Sequence, residues 1–426
     1  MRPTRLGSIV LALCAGGIMA TVGAWPAAAA AGDLDSSFGG GDGQVTTTFV
    51  GGAVGQAVVV QRDGKIVVAG SVHVTADDGA WALARYKPGG GLDPTFGTNG
   101  RVVTNLTGND DVAYDVVLTG GGKIVVCGYT GTAMAVARYL PDGHLDHSFS
   151  GDGKVILQYP SGPSYGYALA KAPGGKLVVG GEVDNAAGDY HFAIARFTSA
   201  GAPDATFGGG DGKVSTNMGT QSYAYDMLVR SDGSIVATGD ANTTANTSVG
   251  MAWYRPNGTL DPSFGDGGTF VDDVGEDLSP HSMVQVGSGK IVVAGPYRTS
   301  PNTFKVGLIR FRADGHPDES FGPSGLVTRD LGGTSDYPNR ILRSGAKLLL
   351  GLGHQVDAEF QMGVVRLFGN GAVDTGFGDQ GLALSTLGEA NGTALVLQGD
   401  GRIVEAGDRG ATQETRKFLV ARFLAS

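Results

Sequence analysis

Seven copies of one short motif run through this chain, and the copies begin and end out of phase. The motif is an Asp placed three residues before a Phe, close to a glycine-containing turn. The Asp of each copy is Asp35, Asp93, Asp146, Asp204, Asp261, Asp318 or Asp374. The matching Phe is Phe38, Phe96, Phe149, Phe207, Phe264, Phe321 or Phe377. Successive motifs are 53 to 58 residues apart, and a period of this size indicates a propeller or another repeat array.

One full repeat reads as four short antiparallel strands. Ala57–Val60 is an apolar run, Asp63-Gly64 predicts a hairpin turn, and residues 65–69 form a second apolar run. Trp81–Tyr86 predicts a third strand, and residues 92–104 an irregular fourth one. Four such strands, named A to D from the axis outward, make one propeller blade. The first two runs are apolar almost without alternation, which is typical of strands buried on both faces.

The phase of the repeats predicts how the chain closes. Residues 35–48 supply a lone D strand, and residues 393–423 supply strands A, B and C with no D strand after them. Joining the two completes a blade and leaves no unpaired edge, which would be an aggregation hazard. The sequence therefore predicts an all-β, seven-bladed β-propeller over residues 32–426, a single domain closed by its N-terminal outer strand.

A fixed offset also predicts ion pairs across the C–D hairpin. Strand C carries an Arg eight residues before the next motif Asp, except in the fourth copy, where Trp253 takes its place. Arg422 has no Asp after it, and we expect Asp35 to be its partner. The predicted structural pairs are Arg85–Asp93, Arg138–Asp146, Arg196–Asp204, Arg310–Asp318, Arg366–Asp374 and Arg422–Asp35.

The first 31 residues resemble a secretory signal peptide. Arg2 and Arg5 precede an apolar stretch, and small residues at 27–31 offer a cleavage site. Cleavage would leave 29 basic residues against 41 acidic ones, a formal charge of −12. Such a surface repels phosphate backbones, so we expect no nucleic-acid partner. We also expect no membrane-spanning segment after cleavage. Cys127 then remains without a disulfide partner and reads as a small buried side chain.

The repeat also resembles a known family. The segments Asp63–Gly70, Ala82–Tyr86 and Gly91–Gly97 resemble the bacterial delta-60 repeat, a relative of the NHL-type propeller repeat. The likeness covers all seven copies and is weakest in the sixth, where Leu352 replaces a glycine. The resemblance implies a secreted or surface-exposed propeller and no defined activity, because the repeat carries no catalytic motif and a fold does not specify a function.

Positions that differ between the repeats are the candidates for function. The residues just before and at the start of strand A should rim one mouth of the central channel, because strand A is innermost. The candidate ligand-binding residues there are Tyr114, Asp115, Tyr165, Tyr167, Tyr223, Tyr225, Asp226, His281, Tyr337 and Arg340. A concave mouth lined by Tyr rings and a few charges suits a sugar or a peptide. Packing of these rings between neighbouring blades is the structural alternative.

The residues at the channel mouth are compatible with three functions. The first is an extracellular binding module for a glycan, protein or peptide. The second is an extracellular hydrolase or lyase that uses Asp115 and Asp226 as acid and base, which requires both carboxylates to face one substrate. The third is a purely structural surface protein. The sequence predicts no cofactor, although a calcium site assembled from several acidic loops stays open.

Overall fold

The structure, a computed structural model, describes residues 29–75, 78–185, 187–242, 248–272 and 278–425. Residues 1–28 of the predicted signal peptide (1–31) therefore lie outside the described part. Within the described ranges the regular elements are strands and short 3₁₀ turns, with no helix of the length and apolar character that crossing a membrane requires. The 3₁₀ turns are Gly120–Gly122, Pro173–Gly175, Gly208–Gly210, Gly287–Gly289, Pro323–Gly325 and Gln413–Thr415.

The strands pair into four-stranded antiparallel units, numbered here along the chain. Strand β1 (Gln44–Thr47) comes first and belongs to the last unit. Unit 1 is β2 (Ala53–Val60), β3 (Ile66–Thr75), β4 (Asp78–Tyr86) and β5 (Arg101–Thr104). Unit 2 is β6 (Asp111–Leu118), β7 (Ile124–Thr130), β8 (Ala133–Tyr139) and β9 (Lys154–Leu157). Unit 3 is β10 (Ser164–Ala172), β11 (Lys176–Asp184), β12 (Tyr190–Phe197) and β13 (Lys213–Thr216).

The second half of the chain repeats this order. Unit 4 is β14 (Gln221–Val229), β15 (Ile235–Asn242), β16 (Val249–Tyr254) and β17 (Thr269–Asp272). Unit 5 is β18 (Ser282–Gln285), β19 (Ile291–Ser300), β20 (Thr303–Phe311) and β21 (Leu326–Arg329). Unit 6 is β22 (Ser335–Ser344), β23 (Lys347–Val356), β24 (Glu359–Phe368) and β25 (Leu382–Leu384). Unit 7 is β26 (Ala390–Leu397), β27 (Ile403–Arg409) and β28 (Lys417–Phe423), followed in space by β1.

Two pairings depart from a simple series of hairpins. Strand β1 runs antiparallel to β28, with Gln44 opposite Ala421 and Thr47 opposite Phe418. The first strand of the chain is thus the outer strand beside the last three. Units 3 and 4 are linked by a single parallel residue pair between Tyr190 and Gln221. That link makes one eight-stranded sheet out of two four-stranded halves.

Apolar layers separate neighbouring units, which explains the unbroken apolar runs in the sequence. Val68 packs with Val404 of unit 7, whereas its neighbour Val67 packs with Val126 of unit 2. Each face of the strand therefore belongs to a different hydrophobic cluster. Every hydrophobic cluster of the described residues is shared by two units, in the pairs 7 and 1, 1 and 2, 2 and 3, 3 and 4, 4 and 5, 5 and 6, and 6 and 7. Cys127 is fully buried in the layer between units 2 and 3.

A β-bulge in strand A and the residue opposite it in strand B, usually a glycine, form a second structural feature that recurs along the chain. In six units the strand A register skips one residue, and that bulged residue is Gln56, Tyr114, Tyr167, Tyr225, Asn339 or Thr393. In unit 3 a Cβ on Gly181 would lie 1.9 Å from the carbonyl oxygen of Tyr165, so only glycine fits against the bulge. Unit 6 is the exception, because Leu352 faces Pro338 there.

The Arg residues of strand C each contact the motif Asp of their own unit. In six pairs the Arg Nε lies 2.6 to 3.0 Å from the Asp Oδ2: Arg85–Asp93, Arg138–Asp146, Arg196–Asp204, Arg310–Asp318, Arg366–Asp374 and Arg422–Asp35. The guanidinium also covers the motif Phe ring at 4.5 to 4.6 Å. The Arg Nη1 donates to a backbone carbonyl of the following unit, for example from Arg138 to Ser199. The Arg therefore ties two units together.

A second cation on six of the seven motif Asp residues was not predicted from the sequence. Strand B or the turn before it places Lys65, Lys123, Lys176, Lys290, Lys347 or Arg402 within 2.5 to 3.5 Å of the same Oδ2 atom. Burial alone would raise the pKa of Asp93, but hydrogen bonds from Thr95 and the charges of Arg85 and Lys65 lower it to about 2.

In the fourth copy a different set of contacts takes the place of the Arg–Asp ion pair. Trp253 packs on Phe264, with ring centroids 4.6 Å apart, and Arg230 stacks on Trp253 at 3.8 Å. Asp261 is left with a looser contact to Arg255 at 3.5 Å. The aromatic side chain of Trp253 and the cation of Arg230, which directly follows strand A, here occupy the place that a strand C Arg holds elsewhere.

Candidate functional site

The bulged residues of strand A converge on one cavity. Seven side chains at this position, one from each unit, line a cavity of about 1140 Å³: Gln56, Tyr114, Tyr167, Tyr225, His281, Asn339 and Thr393. All seven are half-buried. In unit 5 the strand begins directly after His281, so this residue occupies the same place without a bulge in the register. The bulge re-aims a side chain that would otherwise point between two units.

These side chains contact one another in chain order. The ring centroids of Tyr114 and Tyr167 are 5.0 Å apart, those of Tyr167 and Tyr225 5.6 Å, and those of Tyr225 and His281 5.5 Å. His281 Nδ1 lies 3.2 Å from Asn339 Oδ1. One half of the rim is thus a continuous aromatic surface, at spacings that favour edge and offset contacts between rings.

The other half of the rim is polar. Asn339 Nδ2 donates to the carbonyl of Gly392 at 2.7 Å, and the Thr393 hydroxyl donates to the carbonyl of Gly55 at 2.6 Å. Each of these bonds runs from one unit to the next. The amide and hydroxyl side chains therefore contribute to the packing of units as well as to the cavity wall.

Three of the predicted tyrosines stand outside the cavity lining. Tyr165 contacts Tyr129 at 4.9 Å, and Tyr223 lies between Tyr190 and Tyr225 at 5.7 and 5.9 Å. Both extend the aromatic surface outward from the cavity. Tyr337 instead packs with Phe304 and Phe360 and, among the described residues, stacks on no other tyrosine.

Two buried carboxyl groups lie behind the aromatic half. Glu182 Oε1 accepts a hydrogen bond from the Tyr167 hydroxyl at 2.9 Å. Asp240 accepts one from the Ser279 hydroxyl at 2.7 Å and lies 3.4 Å from the Tyr225 hydroxyl. Burial raises the pKa of Glu182 to about 7 and that of Asp240 to about 6. Both groups therefore change charge close to neutral pH.

Asp115 and Asp226 connect strand A of one unit to strand A of the next. Asp115 accepts backbone N–H bonds from Val116 and from Leu169 of unit 3, at 2.7 and 2.8 Å. Asp226 Oδ2 accepts from the Ser282 hydroxyl at 2.9 Å and from the Met283 N–H at 2.7 Å. The two carboxylates thus point into different layers, between units 2 and 3 and between units 4 and 5. Each carboxylate is therefore held by hydrogen bonds at its own unit boundary, which does not favour the hypothesis of an acid and base pair acting on one substrate.

Arg340 is the cation that faces these carboxylates. Its Nη1 lies 3.3 Å from Asp226 Oδ1, a contact that joins unit 6 to unit 4 across the channel. The charge of Asp226 raises the pKa of Arg340, and Asp115 adds to that effect. Burial raises the pKa of Asp115 to about 6, although the charge of Arg340 acts in the opposite direction. Burial also lowers the pKa of His281, so this imidazole is neutral at pH 7.

Sequence reasoning missed Tyr129, Glu182 and Asp240. All three follow the strand B glycine directly, a position that holds Ser71, Tyr129, Glu182, Asp240, Pro296, Gly353 or Asp408 in the seven units. The rule that singled out the rim, namely that variable positions carry function, would have found this second set. Among the described residues, no group of three or more His, Cys, Asp or Glu side chains is arranged to hold a metal ion.

Comparisons with known proteins agree with this architecture. Residues 61–96, 122–149, 173–207, 230–264 and 287–321 match the family model described as "Domain of unknown function (DUF5122) beta-propeller". No curated protein matches the sequence.

Solved structures give matches over most of the chain at low sequence identity. The polysaccharide lyase Uly1 is 10% identical, with a TM-score of 0.52 and coverage of 87% of this chain and 90% of that one. Sqt1 from Chaetomium thermophilum, bound to the N-terminus of the ribosomal protein L10, is 14% identical, with a TM-score of 0.46 and coverage of 89% and 98%. At these identities the likeness concerns the fold alone. The predicted all-β architecture of four-stranded antiparallel sheets is confirmed, and the chain is a β-propeller protein.

Proposed function

We propose that the chain is a closed, seven-bladed ring, a secreted propeller of the delta-60 type in which each four-stranded unit is one blade. Three observations support closure. Strand β1 pairs with β28, and apolar layers occur between unit 7 and unit 1 as between the others. Arg422 of unit 7 also donates to the carbonyl of Pro88 of unit 1, as Arg138 does to Ser199 of the following unit.

We propose that this propeller binds a glycan at the mouth of its central channel, outside the cell. The observation that carries the proposal is the aromatic half-rim of Tyr114, Tyr167 and Tyr225 on a cavity of about 1140 Å³. Aromatic faces stack on the apolar faces of sugar rings, while a few hydrogen-bonding groups set their orientation. The amide and hydroxyl groups of the opposite half supply such groups. A peptide is the other ligand that this surface would accept.

Two features argue against the alternatives. Asp226 is 4% exposed, and both of its oxygens accept hydrogen bonds, so it is poorly placed to exchange protons with a substrate. A purely structural role would account for the carboxylates but would leave a half-rim of partly exposed tyrosines unexplained. A fold of this general shape occurs in a polysaccharide lyase, so it is compatible with a polysaccharide ligand. The negative surface makes nucleic acid an unfavourable partner.

The test is binding of the mature protein to a panel of polysaccharides and oligosaccharides. Tyr114→Ala/Tyr225→Ala removes two rings of the half-rim, and we expect at least tenfold weaker binding, since stacked aromatic contacts are worth about 1 kcal/mol each. Phe368→Ala is the matched control, because Phe368 is an exposed aromatic residue outside the cavity lining.

The double variant must be shown to be folded, which its circular dichroism and melting temperature report. Tyr225→Phe gives a milder comparison, since it keeps the ring and removes only the hydroxyl beside Asp240. Wild-type binding to no glycan, or equal binding by the wild type and the folded double variant, would contradict the proposal.

A further inference from the structure

The cations of the cavity already have partners. Arg340 is paired with Asp226, and Arg416 lies 3.4 Å from Asp408. Arg340 and Arg416 are the only Arg or Lys side chains among the described residues that line the cavity, whereas Asp115, Glu359, Glu389 and Asp408 line it as acids. The burial of His281 keeps its imidazole neutral. The cavity therefore has an excess of negative charge and is unfavourable for an anionic polysaccharide.

Glu182 is a further acidic group, which lies behind the aromatic half. It is 5% exposed, and only Oε1 has a hydrogen-bond partner, since Oε2 is buried without one among the described residues. A buried carboxylate oxygen without a partner is costly and calls for an explanation. A cationic ligand group at the rim would supply the missing charge.

Five tyrosines surround this carboxyl group. Burial raises the pKa of each of them, and the negative charge of Glu182 adds to the shift in every case: Tyr114, Tyr165, Tyr167, Tyr223 and Tyr225. Asp240 stands on the other side of Tyr225. Ring faces attract ammonium groups through their negative quadrupole, and a carboxylate behind the rings strengthens that attraction. The combination of several tyrosine rings and a buried carboxylate is suited to an alkylammonium group.

We propose that the glycan bound at this rim carries free amino groups, as a β-1,4-linked glucosamine oligomer does. The inference rests on the proposed glycan-binding function and names the substrate class of the same site. The sugar rings stack on Tyr114, Tyr167 and Tyr225, and an ammonium group lies beside the Tyr167–Glu182 pair. An N-acetylated oligomer has the same backbone but no charge, and it cannot compensate Glu182.

The experiment compares two hexamers by isothermal titration calorimetry at pH 7, close to the pKa of Glu182, where pairing with an ammonium group favours the ionised carboxylate. The glucosamine hexamer should bind at least tenfold more tightly than the N-acetylglucosamine hexamer. Glu182→Gln should remove most of this difference, because it keeps the hydrogen-bonding shape and deletes the charge. Glu319→Gln, an exposed carboxylate far from the cavity lining, is the matched control and should leave both affinities unchanged.

The outcomes separate the two proposals. Equal affinity for the two hexamers would overturn the amino-sugar inference and leave glycan binding standing. Binding of the glucosamine hexamer that is the same in Glu182→Gln and wild type would also overturn it, since the attraction would then be that of the acidic surface in general. Binding of a lysine hexapeptide without binding of either hexamer would overturn both proposals in favour of a peptide ligand.

Discussion

Replacing Asp35 by Asn tests the contact that joins the two ends of the chain. Asp35 is 4% exposed, and its Oδ2 lies 2.8 Å from Nε of both Arg422 and Arg402. Arg422 is itself 3% exposed and also donates to the carbonyl of Pro88 in unit 1. The substitution leaves a buried guanidinium without its counter-ion, and it does so at the junction between the first strand and the last three.

The size of the effect follows from burial. Removing one partner of a buried ion pair costs about 3–5 kcal/mol, and the half-exposed Arg402 adds less than about 1 kcal/mol. A chain of roughly 395 residues unfolds with an entropy of about 0.8 kcal/mol/K, so the melting temperature should fall by about 4–6 °C.

Asp261→Asn is the matched control, because it changes the same motif position in the unit that lacks the strand C Arg. Its side chain is 25% exposed, accepts hydrogen bonds from Ser263 as Asp35 does from Ser37, and has one ion pair among the described residues, to Arg255 at 3.5 Å. We expect a loss below about 1 kcal/mol and a shift of about 1 °C. Scanning calorimetry of both variants at pH 7 measures the two shifts. Equal shifts, or a shift below about 1 °C for Asp35→Asn, would show that the closure pair does not contribute as argued.

The pH dependence of the Asp35 variant gives an independent check. Burial alone would raise the pKa of Asp35, but hydrogen bonds from Ser37 and the charges of Arg422 and Arg402 lower it below its ordinary value of 3.8. The stabilisation is therefore complete above that value and is lost as the pH falls below it. The difference in melting temperature between wild type and Asp35→Asn should shrink below about pH 4.

Three further predictions concern single buried residues. Burial raises the pKa of Glu182 to about 7, so between pH 4.5 and 7 the folded protein keeps a proton that the unfolded chain releases. The free energy of unfolding of the wild type should therefore decrease as the pH rises through this range. The decrease should be smaller for Glu182→Gln, and urea unfolding measures the difference. Gly181→Ala should cost more than about 2 kcal/mol, since its Cβ would meet the Tyr165 carbonyl at 1.9 Å, whereas Gly180→Ala makes ordinary contacts and should be tolerated; melting temperatures that rank them the other way would refute the bulge argument. Cys127, whose pKa burial raises, should react with a thiol reagent only after unfolding, and rapid labelling of the native protein would contradict its placement.

Repetition explains how much of the architecture could be read from the sequence. A residue that recurs in every copy, such as the motif Asp and the motif Phe, reports a constraint that every copy shares. The offset of eight residues between Arg366 and Asp374 is local, since the two sit across one hairpin. The same offset, applied across the ends of the chain, identified Asp35 as the partner of Arg422, and these two residues lie 2.8 Å apart.

The second cation on six of the motif Asp residues could have been predicted from the sequence but was not. Lys123 and Asp146 are 23 residues apart along the chain, yet their charged groups are 2.7 Å apart. Strand B lies beside strand C, and the register between them decides which Lys side chain meets the Asp. That register is a property of the folded sheet rather than of the spacing between motifs.

The sequence by itself determined the repeat, the strands, the ends that pair and the set of positions that precede strand A, because each follows from aligning the copies with one another. Only the tertiary structure decided what those side chains do. It turned Tyr114, Tyr167 and Tyr225 into one aromatic surface through the strand A bulges, and it directed Asp115 and Asp226 into separate layers between units. The physical reason is that residues peculiar to single copies meet only across unit boundaries, where packing and hydrogen bonding with a neighbouring copy fix their direction.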